Sequence, residues 1–276
     1  MTINPSLRPA RSSKFSKALK NYGNNLIPVI VCVMAALTVW QLLCMSPDSQ
    51  MPGPIKVIQQ TWILVLDPFS VGEAGTGVGF LLLASLQRVL IGYMLAAVAG
   101  IAIGVLLGVS QFMRTGVDPI VQVLRTIPPL AWLPIALGIF RDSRPAGIFL
   151  IFITAIWPIV INTALGVQQI PQDYNNVAKV LKLSGKEYFF SILVPSTVPY
   201  VFGGLRIGIG LAWLAIVAAE MMTPGDGIGF QIWDAYNSGG DLGMSKTIIY
   251  VFSTGLVGLA LDRLVGWIGS RITSDH

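Results

Sequence analysis

Apolar residues in this chain come in long runs, not in the alternation of a half-buried strand or the narrow stripe of a surface helix. Runs near 26–45, 86–109, 118–140, 146–166, 198–222 and 247–269 each approach or exceed the roughly 20 residues a helix needs to cross about 30 Å of hydrocarbon. Six runs predict an all-α polytopic membrane protein with six transmembrane helices. Residues 1–25 are polar and basic, with Arg8, Arg11, Lys14, Lys17 and Lys20 and no acid. The apolar run behind them is too long for a signal peptide and lacks a small-residue cleavage site. It is therefore an uncleaved first span with a cytoplasmic basic segment before it, and 26–276 is the membrane domain.

The runs differ in texture. Gly100, Gly104 and Gly108 repeat every four residues in the second, which gives a smooth face for close helix packing. Pro128, Pro129 and Pro134 interrupt the third, and irregular backbone survives at membrane depth only inside protein or along a watery cavity. That run is either a pathway element or a kinked packing helix. Between the first two runs, Ile55 to Leu66 predicts a short helix lying on the membrane surface. The loop 168–195 carries Lys179, Lys182 and Lys186, whereas 223–245 is Gly-rich and carries Asp226, Asp234 and Asp241. Basic loops stay in the cytoplasm. Both termini and 168–195 are therefore expected inside, and 223–245 outside, in an inner (plasma) membrane; Arg141 and Arg144, in an outside turn, are the exceptions.

Composition agrees: 54% of residues are hydrophobic, 11% charged, and the mean hydropathy is +0.71. Soluble domains carry roughly 25% charge. The net charge of +5 sits at the ends of the runs, which argues against a nucleic-acid partner. The one histidine is His276, and the two cysteines share one run, which leaves little for a metal site or for His-based catalysis. No phosphate-binding GxxxxGK[ST] loop occurs, so this chain has no ATPase site of that kind and no bound cofactor is expected.

The segment Asn176 to Pro199 carries a longer pattern. Asn176, Val177 and Ala178 take the E-A-A places, Lys182 the Gly place, and Ile192, Val194 and Pro195 the I-x-L-P places of the cytoplasmic loop that marks permeases of ABC importers. Further elements are Ser85-Leu86-Gln87-Arg88, the Asp118-Pro119 pair, Leu124 to Pro134, Gly204 to Gly208, and Ala219-Glu220-Met221. Together they resemble the branch of that family that moves nitrate, bicarbonate, sulfonates and taurine. Gly227 to Tyr236 is most similar to nitrate and bicarbonate permeases of cyanobacteria, with nitrate the favoured cargo. The resemblance implies an ABC importer permease of the type I kind over about 80–270, acting as a homodimer. Two ATPase subunits would bind Mg and ATP, and a substrate-binding protein would dock outside. Asn176, Val177, Ala178, Lys179, Val180, Leu181, Lys182 and Leu183, with Pro195 behind them, would form the helix that couples to the ATPase. Val177, Val180 and Leu181 share one face of it. The Lys in the Gly place is expected to alter the turn after the helix.

An anion crossing a layer of low dielectric needs positive charge or hydrogen-bond donors, and the planar fork of arginine matches a planar oxyanion. Arg88, Arg125 and Arg206, with Glu220, are the candidate pathway residues; the alternative is that they snorkel, or pair with Glu220 and Asp118 to hold helices. Thr126, Thr154, Asn162 and Thr163 are further donors or interhelical ties. In the Gly-rich outside loop, Ile228, Phe230 and Trp233 form a candidate gate, or Trp233 and Tyr236 anchor the interface.

Overall fold

The computed structural model describes residues 12–46, 51–72 and 75–273. The basic stretch up to Arg11 and the terminal His276 lie outside the described residues. The chain divides into two compact units that meet after Gln59. The first holds α1 (Ser12–Leu43) and the start of α2 (Pro54–Leu66). The surface helix expected at 55–66 is thus a helix. In the first unit the expected span falls within α1, whose described apolar part is Ile27–Leu43, and the helix begins earlier, at Ser12.

The second unit contains a two-residue antiparallel ladder, Val71–Gly72 with Gly75–Thr76, and otherwise helices. Four are long and apolar enough to cross a membrane: α3 (Val78–Val109), α6 (Ser143–Gln168), α9 (Val194–Met222, reached through Gly185) and α11 (Gly240–Thr273). The third predicted run folds as two apolar pieces, a broken span or a re-entrant loop. Helix α4 (Gln111–Thr126) and the run of a 3₁₀ turn (Pro129–Trp132) with α5 (Leu133–Phe140) meet at 97°. Local chemistry produces this break. A residue before proline is pushed out of the helical region, and here two prolines follow in sequence. Ile127 (ψ 122°) and Pro128 (ψ 133°) are both extended. Among the described residues, then, the last five predicted spans correspond to four long helices and one bent pair, and the first falls within α1.

Helix α6 is the centre of the unit, packed along α3 on one side and α9 on the other. Leu150, Ile151, Ala155 and Ile159 are completely buried. In lipid there is little hydrophobic drive for helices to associate, so close approach must supply the attraction. The glycines of α3 permit it. A Cβ at Gly100 would stand 2.9 Å from the Ile159 side chain, and one at Gly104 would stand 2.5 Å from Thr163 Cβ. Gly92 and Gly108 press on α6 in the same way, against Ile148–Ile151 and Val167. The α9 side repeats the device: a Cβ at Gly204 would meet Pro158 O at 2.9 Å. The four-residue spacing read from the sequence is therefore the α3–α6 seam.

The segment 223–245, expected as a loop, contains a helix, α10 (Ile228–Ser238), and gives its last residues to the start of α11. The amphipathic loop after α6 folds as α7 (Gln172–Val180), a single turn α8 (Gly185–Tyr188), and a π-type turn (Phe189–Leu193) that feeds α9.

Candidate functional site

Three motifs far apart in sequence meet at one end of the bundle. Arg88 Nη1 donates to Glu220 Oε1 at 2.6 Å, and Ser85 Oγ donates to Glu220 Oε2 at 2.8 Å. Glu220 Oε2 also accepts from the Gly229 amide at 3.1 Å, and Ser85 Oγ accepts from the Ile228 amide at 3.0 Å. Arg88 reaches Asp226 with its other nitrogen. A carboxylate thus sits on the first amides of α10, where free N–H groups and the helix dipole favour negative charge. Gly227 is required there, because a Cβ would fall on the Glu220 carboxyl. Arg88 and Glu220 are both nearly buried, so the pair is a closed lock joining α3, α9 and α10. Partial burial pushes the Asp226 carboxyl up, but the hydrogen bond and charge of Arg88, with a smaller pull from Arg144, outweigh it and hold it below the usual 3.8. A depressed carboxylate stabilises the fold above that value and loses its contribution as pH falls through the lowered one, so this contact persists at neutral pH.

Arg88 and Glu220, two of the four candidate pathway residues, are therefore bound to each other. Arg206, the third, is held by Asp262 of α11 in a two-pronged ion pair, Nε–Oδ1 and Nη2–Oδ2 both at 2.7 Å. Arg125 differs. It lies in the last turn of α4 at the edge of the break, exposed, and makes no ion pair among the described residues, Asp118 included. It lines a cavity of about 330 Å³ with Trp132, Thr154, Trp157, Pro158 and Leu211. Thr154 and Trp157 lie near the middle of α6, and Leu211 near the middle of α9, so the cavity stands at mid-depth of the bundle. Of the other donors considered, Thr126, Thr154 and Asn162 bond carbonyls of their own helices, Val123, Leu150 and Pro158, and among the described residues tie no neighbouring helix. Thr163 is fully buried against Gly104, with its hydroxyl unpaired.

In the candidate gate, Ile228 is fully buried at the lock, Phe230 is partly buried, and Trp233 is half exposed and stacked on Tyr236 at 5.7 Å. These residues sit on a pinned helix rather than in a loose loop.

The candidate coupling segment presents an unusual surface. Tyr174, Val177, Val180 and Leu181 are each at least half exposed, and Val180 reaches 81%. Asn176, Lys179 and Lys182 are exposed beside them, Leu183 is half-buried, and only Ala178 is buried. The base is fixed: Tyr188 donates to Asn175 Oδ1 at 2.6 Å, and Ser184 and Glu187 form a reciprocal cap on α8. Pro195 stands at the root of α9. Helix α7 ends in a Schellman turn, with Leu183 N to Ala178 O at 3.0 Å and Lys182 N to Lys179 O at 3.2 Å. That turn needs a left-handed residue, and Lys182 supplies it with φ 51°. The expectation that lysine would alter the turn is corrected: the turn is kept, at the cost of strain in a residue with a Cβ. Lys182→Gly should remove about 1 kcal/mol of that strain. Amide exchange at Leu183 should then slow by roughly fivefold; unchanged exchange would mean the turn is not strained.

The family model for "Binding-protein-dependent transport system inner membrane component" matches residues 98–274. The chain is 54% identical over 277 residues to the Nitrate import permease protein NrtB of Synechococcus elongatus, covering 99% of both chains. It is 45% identical over 263 residues to the Bicarbonate transport system permease protein CmpB of the same organism, covering 94% of this chain and 93% of that one. Among solved structures, the inward-facing MetNI methionine ABC transporter superposes with a TM-score of 0.57 at 18% identity, over 74% of this chain and 99% of that one.

Proposed function

The chain belongs to the binding-protein-dependent transport system inner membrane component family, and from that premise we propose that it is the membrane-spanning permease of an ATP-driven importer that carries nitrate into the cytoplasm. The observation that carries the reading is Arg125, a cation without an ion pair among the described residues, beside a mid-depth cavity at the break between α4 and α5. An unpaired charge there is costly unless something passing by uses it. Its donors suit an anion, and the pocket around it is mostly aromatic and aliphatic. Nitrate is favoured over bicarbonate by the higher identity to the nitrate permease of one organism than to its bicarbonate permease.

In this reading the chain performs no covalent chemistry and holds no ATP. It pairs with a second copy, and two ATPase subunits carrying Mg and ATP seat against α7. A substrate-binding protein delivers the anion at the end where α10 is locked. Both termini face the cytoplasm. The exposed apolar face of α7 supports the ATPase contact, because an apolar patch on a helix outside the spans is a surface awaiting a partner. Helix α10 closes the outer mouth and moves with α3 and α9, because the lock ties the three together.

Co-expression with the ATPase and binding protein, followed by reconstitution in liposomes, tests this. Nitrate-loaded binding protein should raise ATP hydrolysis and nitrate uptake. Val180→Asp with Leu181→Asp should remove ATPase co-purification while the permease stays folded, since a charge would have to be buried at the contact. Stimulation by bicarbonate alone would replace the cargo. Failure of the unmodified chain to hold ATPase subunits would end the importer reading.

A further inference from the structure

Only 6% of the residues in the most apolar stretch of α11 are buried, against 39% or more in α3, α6 and α9. Contacts with α9 settle which side of it is packed. Trp213 donates to Thr254 O, Asp262 holds Arg206, and a Cβ at Gly258 or Gly269 would meet Trp213 or Phe202. Half a turn away, Leu256, Ala260, Arg263, Trp267 and Arg271 recur at steps of three and four residues, and all are exposed. The stripe changes character along its length. Thr247 to Leu261 carry no charge, a stretch of about 22 Å. Counted from Thr247, Arg263 lies at about 24 Å, Trp267 at about 30 Å and Arg271 at about 36 Å. The hydrocarbon layer is about 30 Å thick, so the tryptophan stands at its edge with one arginine on either side.

We propose that this stripe binds an anionic phospholipid, with the phosphate between Arg263 and Arg271 beside Trp267 and an acyl chain along Leu256, Leu259 and Ala260. The inference rests on α11 spanning the membrane, in the orientation proposed above for the leaflet, and not on the cargo. The Arg271 guanidinium is already turned over the tryptophan, its Cζ 5.3 Å from the centroid of the Trp267 ring. Arg263, one turn deeper, snorkels toward the same level. Neither arginine makes an ion pair among the described residues. The adjacent acid, Asp262, is taken on the packed side by both prongs of Arg206. Two planar forks with no carboxylate between them suit a phosphodiester. A net anionic headgroup also lacks the ammonium that two cations would repel. Below the arginines, Leu256 is 68% and Leu259 53% exposed, an apolar track for a lipid tail. A free phosphate would use the cations alone, and a second copy of the chain would have to bring acids to them.

Lipid titration of the full complex in detergent, read by native mass spectrometry, tests the site. Phosphatidylglycerol should bind the unmodified complex several-fold more tightly than phosphatidylcholine with the same chains. Arg263→Gln with Arg271→Gln should weaken phosphatidylglycerol binding roughly tenfold, as the loss of charge-assisted hydrogen bonds requires. Arg263→Lys with Arg271→Lys keeps the charge without the fork and should fall between, which separates a lost site from a misfolded chain. Arg141→Gln with Arg144→Gln removes the same charge from exposed positions at the other end of the bundle and should leave binding unchanged. Equal losses in both glutamine pairs, equal binding of phosphatidylcholine, or displacement of the lipid by inorganic phosphate would each overturn the proposal. So would a covalent dimer formed on oxidation by Leu256→Cys in a Cys32→Ser, Cys44→Ser background, because it would put a second copy on the stripe. ATPase co-purification keeps the two ideas apart. If the ATPases stay bound and the lipid preference is absent, the site fails and the permease reading stands; if the lipid binds and the ATPases do not, the reverse holds.

Discussion

Arg88→Met, with Glu220 left in place, should cost about 3–5 kcal/mol, because removing one partner strands the other charge in a buried site. The arginine and glutamate side chains are only 8% and 7% exposed, so water cannot take over the lost contact. For a chain of this size the loss corresponds to a fall in thermal midpoint on the order of 10 °C in detergent. Replacing both partners should recover most of it. In Arg88→Met with Glu220→Gln no charge is buried, and the glutamine oxygen can still accept from the Gly229 amide. Glu220→Gln alone should be milder, since Arg88 keeps Asp226. A single Arg88 variant as stable as the unmodified chain would mean that the lock does not hold α3, α9 and α10 together.

Much of this lock was legible as separate pieces. Ser85 with Arg88, Glu220 in Ala219-Glu220-Met221, and the Gly227-Ile228-Gly229 run each stood out, and pairing of an arginine with Glu220 was one of two readings. What the chain order hides is that all three meet, because contacts 132 and 143 residues apart depend on how α3, α6 and α9 stack. The seam itself was readable, since glycine at four-residue steps is a local pattern that translates directly into a helix face. The break at Pro128–Pro129 was readable for the same reason: proline acts on its own neighbour. Helix α10 was not. Glycines and aspartates on both sides of Ile228–Ser238 read as loop, and the helix depends on Glu220 and Ser85 satisfying its first amides from outside. Asp262 was missed because it lies 56 residues from Arg206, inside the last span, with nothing in its own neighbourhood to mark it.

The three arginines also show why position along a span says little about purpose. By sequence alone they were equivalent candidates for an anion path. The fold neutralises two of them by different means, a buried carboxylate for Arg88 and a two-pronged aspartate for Arg206, and leaves Arg125 exposed at the cavity. Neutralised arginines set geometry. The remaining one has hydrogen-bond donors to offer, and it has them where Ile127 and Pro128 depart from helical geometry.

Arg125→Ala should therefore reduce nitrate uptake by roughly 10- to 150-fold, the effect of losing a charge-assisted hydrogen bond of about 1.5–3 kcal/mol. The variant should fold and bind ATPase, because Arg125 is exposed and, among the described residues, supports no ion pair that its loss would strand. Arg125→Lys should fall between, since the ammonium keeps the charge but loses the planar fork that grips two oxygens at once. The diagnostic comparison is between uptake and hydrolysis in one proteoliposome preparation. If Arg125 acts on the passing anion, uptake falls while hydrolysis stimulated by the loaded binding protein is largely retained, so the loss appears as uncoupled turnover. If instead Arg125 helps transmit the ATPase motion through α4, both rates fall in proportion. Unchanged uptake in the alanine variant would remove the cavity from the pathway and leave the broken span as packing alone.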